Sequence, residues 1–254
     1  MIARYSRQTL IEGWDQEKLS NAKIVMVGAG ALGNYVSLGL VGLGIGALTI
    51  IDKDVLERSN MNRQLLFTEK DIGRQKVSAL AERLRERNST TVVTSINEKI
   101  TGNNLAALIG TCDILIDAVD NIPTRLLLSR YALIKGIPLV HGATSHNGGQ
   151  MCVITRNTPC YECFTNIERH LTPSQNQSCT ALPVPSVGYV NQIIAGLMVE
   201  NVRILLNPHK GESIIEPILY YDLQYPQRFY SCAIQRKEQC SCREILITLE
   251  DMKL

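Results

Sequence analysis

Two apolar runs, KIVMVG (Lys23–Gly28) and ALTIID (Ala47–Asp52), flank a helical stretch, and the turn VGAGALG joins the first run to that helix. This feature constrains the fold most. β-Branched and apolar residues without alternation read as strands buried on both faces, which occurs in parallel sheets covered by helices. Lys23 to Asp52 therefore reads as a βαβ unit of ordinary length. Gly28, Gly30 and Gly33 stand in a GxGxxG pattern between strand and helix. The first glycine permits the tight turn, the second lets a phosphate approach the backbone, and the third allows close helix–strand packing. Ala31 opens the helix, whose free N–H groups suit a phosphate. Asp52 ends the second strand, where an acid can accept hydrogen bonds from a ribose. The null alternative is a set of glycines that serve packing alone, and the motif itself does not choose between NAD and ATP.

Downstream the alternation continues. GRQKVSALAERLRERN (Gly73–Asn88) reads as an amphipathic helix with Val77, Leu80, Ala81 and Leu84 on one face. TTVVTSI reads as a strand, NNLAALIG as a short helix, CDILIDA (Cys112–Ala118) as a strand, DNIPTRLLLSRYALIKG as a helix with Pro123 near its start, and IPLVHGA as a fifth strand. After about Gly148 the pattern changes. GQMCVITR looks like an antiparallel strand, a cysteine- and proline-containing loop follows, SVGYVNQIIAGLMVENVRILL (Ser186–Leu206) reads as a long helix, and PILYYDLQ and EILITLE read as late strands. The expected fold is α/β: a Rossmann-like doubly wound sheet, mostly parallel, with antiparallel C-terminal strands and a cysteine-rich region for zinc. Residues 1–254 are expected to form a single domain, with a nucleotide-binding half (1–148) and a cysteine-containing half (149–254).

Bulk properties exclude several classes. A chain of 254 residues that is 45% hydrophobic and 20% charged can bury one large core. Its formal net charge of +2 gives no polyelectrolyte signal, so nucleic acid is not an expected partner. No apolar run reaches the ~18 residues of a membrane span, and the start lacks the apolar core of a signal peptide. A cytoplasmic location is expected. Eight cysteines in a reducing compartment point to metal ligands or a nucleophile more than to disulfides.

The segment after Asp52 chooses the nucleotide. SNMNRQ (Ser59–Gln64) is a polar cluster that a nicotinamide enzyme does not need. Together with RYSRQ (Arg4–Gln8), GAGALG, DKD, IGRQK (Ile72–Lys76), DAVDN (Asp117–Asn121), PCYEC, QSC and the last cysteine group, it resembles the E1-like adenylyltransferase family of MoeB, ThiF and HesA type over nearly the whole chain. The resemblance implies ATP, Mg²⁺ and Zn²⁺ as cofactors. It implies Arg63 on the phosphates, Ser59, Asn60, Met61 and Asn62 beside them, Lys76 near the α-phosphate, Asp120 as the magnesium ligand and Asn121 lining the pocket. It also implies that Arg7 reaches the partner subunit's site in a homodimer. Taken singly, Arg7 and Arg63 read as surface cations, Lys76 as a solvated helix residue and Asp120 as a helix cap; their joint order with the glycine turn carries the assignment.

Cys160 and Cys163 form CxxC, and Cys240 and Cys242 form CxC. Four thiolates in two close pairs suit tetrahedral, structural zinc. Family members carry two CxxC pairs, so CSC is a departure; Cys232 is an alternative ligand, and ordinary reduced cysteines are the null. Cys179, in a polar loop ahead of the long helix, matches the family cysteine that in some members links covalently to the carrier, with Arg169 or His170 as candidate assistants. Cys112 and Cys152 read as core, and His141 as a hydrogen-bonded structural histidine. The implied activity is adenylation of the C-terminal glycine of a ubiquitin-like sulfur carrier of MoaD or ThiS type, with pyrophosphate released. The carrier would end in Gly-Gly, threaded under a cover formed by the loop from Thr165 to Pro185. No rhodanese-like extension follows Leu254, so the sulfur donor is expected in trans. The rivals are an enzyme of the same superfamily acting on another carboxylate (a tRNA-modifying cyclase or a peptide-activating enzyme), an NAD-dependent dehydrogenase, and an idle scaffold that binds a ubiquitin-like protein. NMNR in place of the NLQR usual in sulfur-carrier members keeps the first rival open.

Overall fold

The computed structural model describes residues 2–165 and 185–251. Its centre is one eight-stranded sheet in the order β3-β2-β1-β4-β5-β6-β7-β8. The strands are β1 (Lys23–Val27), β2 (Ala47–Ile51), β3 (Val92–Ile96), β4 (Ile114–Asp117), β5 (Leu139–Thr144), β6 (Gly148–Ile154), β7 (Leu219–Asp222) and β8 (Phe229–Ser231). β1 to β5 pair in parallel and β6 to β8 are added antiparallel. The helices used below are α1 (Ile2–Tyr5), α2 (Gln16–Asn21), α3 (Ala31–Leu43), α4 (Lys76–Arg87), α5 (Leu105–Ile109), α6 (Ile122–Lys135), α7 (Tyr161–Phe164), α8 (Gly188–Leu206) and α9 (Ser241–Asp251). None of the described helices is long and apolar enough to cross a membrane.

The period-two geometry of strands divides the core into two layers. Ile24 and Met26 of β1 face one layer with α3, α4 and α8; Val25 and Val27 face the other with α5, α6 and α7. This explains why KIVMV is apolar at every position after Lys23. α3 ends at Gly44, whose left-handed conformation (φ 81°) lets its N–H reach the carbonyls of Leu40 and Val41.

The strand order reverses between β1 and β4, the switch point at which open α/β sheets bind ligands beyond the carboxyl ends of their strands. Register puts Val27 level with Ile51 and with Asp117. Gly28, Asp52 and Ala118 therefore emerge side by side at one edge.

Several elements differ from the sequence reading. EILITLE lies in α9, not in a strand. Its short apolar run suited a strand, but Cys240 and Cys242 are held among the other cysteines, and the chain leaves them as a helix packed against α6, with Ile245 against the α6-side core. The last strand position is instead filled by FYS (Phe229–Ser231), too short to announce itself. The helix expected from Gly73 begins only at Lys76, because Gln75 makes a β-bridge with Val55.

Candidate nucleotide and metal sites

The three motif glycines do different work. Gly28 has φ +104°, and a Cβ there would lie 2.4 Å from the Ala118 carbonyl oxygen. A Cβ on Gly33 would lie 2.1 Å from the Gly28 carbonyl oxygen. Both positions are closed by the protein itself. A Cβ on Gly30 would meet nothing within 4 Å, and Gly30 caps α3 with no side chain on the free N–H groups. The space before Ala31 is thus open, backbone-lined and electropositive. Gly30→Val is expected to lower the melting temperature less than Gly33→Ala while weakening binding of a nucleotide phosphate about tenfold, because a side chain then fills the approach a phosphate would use. Gly33→Ala is expected to destabilise the fold by about 1–3 kcal/mol. Thermal denaturation and calorimetry of both variants check this; equal behaviour would contradict it.

Asp52 is fixed by two backbone N–H groups, from Ala29 to Oδ2 (2.7 Å) and from Asp54 to Oδ1 (2.8 Å). Burial pushes its carboxyl above the ordinary value, opposed by those donors and by Lys76. Each oxygen keeps a lone pair for a ribose hydroxyl. Lys76, the first residue of α4, is only 9% exposed and pairs with Asp54 (Nζ to Oδ2, 3.1 Å), while its backbone N–H donates to the Asp54 carbonyl oxygen. Lys53 pairs with the same carboxylate at 2.9 Å. Burial works to raise the Asp54 carboxyl, but the two lysines hold it below the usual range. Lys53 also feels the charge of Asp120, which is exposed just beyond β4.

Ser59 and Asn60 lie in the turn Arg58–Asn60, and Arg63 just beyond it folds back onto that turn. Arg63 Nη1 donates to the Ser59 carbonyl oxygen (2.8 Å) and to Asn62 Oδ1 (2.9 Å). Asn60 is buried and its Oδ1 accepts from the Glu57 N–H, so it shapes the turn. Met61 packs on the core, and Ser59 Oγ donates to Glu57. The start of α8 rests against this segment, as a Cβ on Gly188 would approach Tyr35, Asn62 and Arg63. Gln64 Oε1 and the Tyr35 hydroxyl are buried without a partner among the described residues. Asn121 caps α6 through Thr124 N–H.

One assigned residue is not brought to this edge of its own chain. Arg7 is exposed beside α1, and the Tyr5 hydroxyl of α1 contacts Asn88 and Gly44, where α3 ends. A helix of 13 residues is about 20 Å long, so Arg7 lies at the opposite edge from the glycine turn of its own chain. Cys179, with Arg169, His170 and most of the expected cover loop, lies outside the described residues.

Cys160, Cys163, Cys240 and Cys242 converge in a buried cluster with all four sulfurs within 4.8 Å of one another. Neighbouring sulfurs are 3.3–3.7 Å apart, against about 3.8 Å for tetrahedral zinc with 2.3 Å bonds. The CSC pair thus completes the set, and Cys232 is exposed away from it. Burial pushes Cys240 up to about 12, whereas the hydrogen bond from Cys160 leads in pulling Cys242 down to about 5. One cation of charge two would relieve the conflict among thiolates so close together, and the donor set fits zinc. Glu162, inside the CxxC, accepts from Arg130 of α6 and from Ser241 of the CSC (2.7 Å), tying both cysteine pairs to the sheet's helical cover.

Sequence reasoning gave no role to Asp54, Asp117, Arg125 or Glu162. The first two were visible as the second acid of DKD and the first of DAVDN. Asp117 and His141 form a fully buried pair (Oδ2 to Nδ1, 2.7 Å), and the Gln150 amide lies 3.3 Å from His141 Nε2. That network assigns the proton to Nδ1. Burial lowers the His141 pKa despite the neighbouring carboxylate, which keeps the ring neutral.

The ThiF family model matches residues 5–243. The chain belongs to the ThiF family. Among relatives of this ThiF-family chain, the SAMP-activating enzyme E1 of Haloferax volcanii is 33% identical over 87% of this chain and 81% of its own length. The sulfur carrier protein adenylyltransferase of Thermus thermophilus is 32% identical over 94% of this chain and 89% of its own. The chain spans only 47% of the adenylyltransferase and sulfurtransferase MOCS3 of Arabidopsis thaliana, at 36% identity. Its fold matches the crystal structure of E. coli MccB with AMPCPP and MccA (TM-score 0.80, 26% identity, 94% of this chain and 73% of that one).

Proposed function

We propose that this ThiF-family chain uses ATP to adenylate the C-terminal glycine carboxylate of a ubiquitin-like sulfur carrier of MoaD or ThiS type, releasing pyrophosphate. The observation that carries the reading is the open N-terminus of α3 at Gly30, with Asp52, Lys76 and Asp120 gathered on the same edge. Its relatives in Thermus thermophilus and Bacillus subtilis, the latter 40% identical over 65% of this chain, are named sulfur carrier adenylyltransferases.

The carrier's carboxylate oxygen attacks the α-phosphorus, and pyrophosphate leaves with the electron pair of the broken P–O bond. Two anions must meet, so the chain's task is to place cations and donors around the triphosphate without reorganisation. The α3 N–H groups receive a phosphate and Asp52 orients the ribose. Asp54 holds Lys76 beside the edge, poised for the α-phosphate, and Arg63 balances charge on the leaving group with Asn62 and Ser59 beside it. Asp120 is the residue that would hold Mg²⁺, which takes one or two protein carboxylates plus phosphate oxygens and would supply further charge neutralisation. Arg7 would act in trans within a homodimer, because its own chain's edge is out of reach. The four cysteines would hold a structural zinc. Cys179 would attack the acyl carbon of the adenylate, AMP departing, to give a thioester that a sulfur donor in trans then resolves. Residues 149–254 are assigned to zinc and to the carrier.

ATP–pyrophosphate exchange is the test. With a carrier ending in Gly-Gly, exchange is expected; with the same carrier lacking its last glycine, none. Exchange indifferent to every carrier tail, or its absence despite ATP binding, would overturn the carrier reading and direct attention to a peptide or tRNA carboxylate.

A further inference from the structure

Asp120 is exposed on a short turn between β4 and α6, yet the residue before it is held unusually firmly. The Val119 N–H donates to Asp117 Oδ1 (3.1 Å), and the Val119 carbonyl oxygen accepts from Arg125 Nη2 (2.6 Å) and Nε (3.2 Å). On the other side, Asn121 is fixed as the cap of α6. The second oxygen of Asp117 is taken by His141, itself backed by Gln150. The Arg125 guanidinium lies 6.0 Å from the centre of the Tyr161 ring, and that ring packs edge-on to His141 at 5.0 Å. A buried carboxylate is a costly way to end a strand. Here both of its oxygens are spent, one on the turn and one on a neutral histidine that cannot leave.

We infer that Asp117, His141 and Arg125 are positioning residues that fix the Val119–Asp120 backbone so that the Asp120 carboxylate is preset for a divalent cation carried by the nucleotide. The inference rests on the adenylation reading for the identity of that cation. Groups that orient a metal ligand without touching the metal commonly set its affinity by about 10–100-fold. The arrangement separates two contributions to nucleotide binding. The α3 N-terminus and Asp52 act on the phosphate and ribose with or without a cation, whereas the clamp acts only through Asp120.

The test compares Arg125→Met, Arg125→Lys and His141→Asn with wild type, using calorimetry of the non-hydrolysable analogue AMPCPP in Mg²⁺ and in EDTA. Arg125→Met is expected to weaken binding about tenfold in Mg²⁺ and to leave binding in EDTA unchanged, with Arg125→Lys between it and wild type. His141→Asn, which keeps one N–H for Asp117, is expected to lose less than Arg125→Met. In exchange assays the half-saturating Mg²⁺ concentration rises while the KM for the carrier stays constant. Equal weakening in Mg²⁺ and EDTA would show a merely structural role and overturn the inference, as would no weakening in either. If wild type binds AMPCPP with Mg²⁺ but no carrier supports exchange, the carrier reading falls and the calorimetry still decides the clamp. If wild type does not bind AMPCPP, both fall. Should His141→Asn fail to fold, the two Arg125 variants carry the comparison.

Discussion

Asp120→Ala is expected to lower carrier-dependent ATP–pyrophosphate exchange by about 10²–10³-fold, the loss of about 2.7–4 kcal/mol of charge stabilisation in the reacting complex. Its carboxylate is exposed and makes no hydrogen bond among the described residues, so removing it takes nothing from the packed core. The melting temperature should stay within the small range of ordinary surface substitutions, about 0.5 kcal/mol. Asp120→Asn separates charge from shape: the amide fits the same turn but is a poor ligand for a hard cation. Both variants should fail alike. Full exchange in Asp120→Asn would remove the carboxylate from the reaction, and the neighbouring acids Asp52 and Asp54 would then have to be tried in its place.

Cys160→Ala and Cys240→Ala are expected to release the metal and to lower stability by about 5 kcal/mol or more, because binding energy at a structural zinc site is folding energy. For a domain of this size that is a fall of about 10–20 °C in melting temperature. The effect should be large because the four sulfurs join α7 to the chain entering α9, segments separated by about eighty residues. Cys232→Ala is the control, since that thiol is exposed and outside the cluster. Metal analysis of the purified protein should find about one zinc per chain in wild type and Cys232→Ala, and almost none in the other two. A wild type without zinc, or a Cys240→Ala variant with unchanged stability, would refute a structural metal at this site.

The glycine turn and the cysteines differ in how they were legible. GxGxxG is local: its three roles follow from one strand, one turn and one helix, and the backbone contacts of Gly28 and Gly33 bear out the packing part directly. CxxC and CxC are distant in sequence, and spacing alone left Cys232 as a rival ligand and reduced thiols as a null. The structure set Cys232 aside by gathering Cys160, Cys163, Cys240 and Cys242 into one buried cluster, a donor set consistent with zinc. EILITLE shows the opposite case, since a short apolar run (Ile245, Leu246 and Ile247, then Leu249) fits a buried strand as well as a helix. What decided it was the fixed position of Cys240 and Cys242, from which the chain runs along α6.

By itself the sequence determined the doubly wound half, the glycine turn, the acid after β2 and the family, because each is written in residues adjacent along the chain. Tertiary structure alone decided that Asp54 holds Lys76, that Asp117 and His141 brace the turn before Asp120, that Arg125 closes the same turn from α6, and that Arg7 lies at the far edge. Those relations cross between strands and helices. They depend on register and on which face a side chain occupies, and a one-residue change in either would undo them.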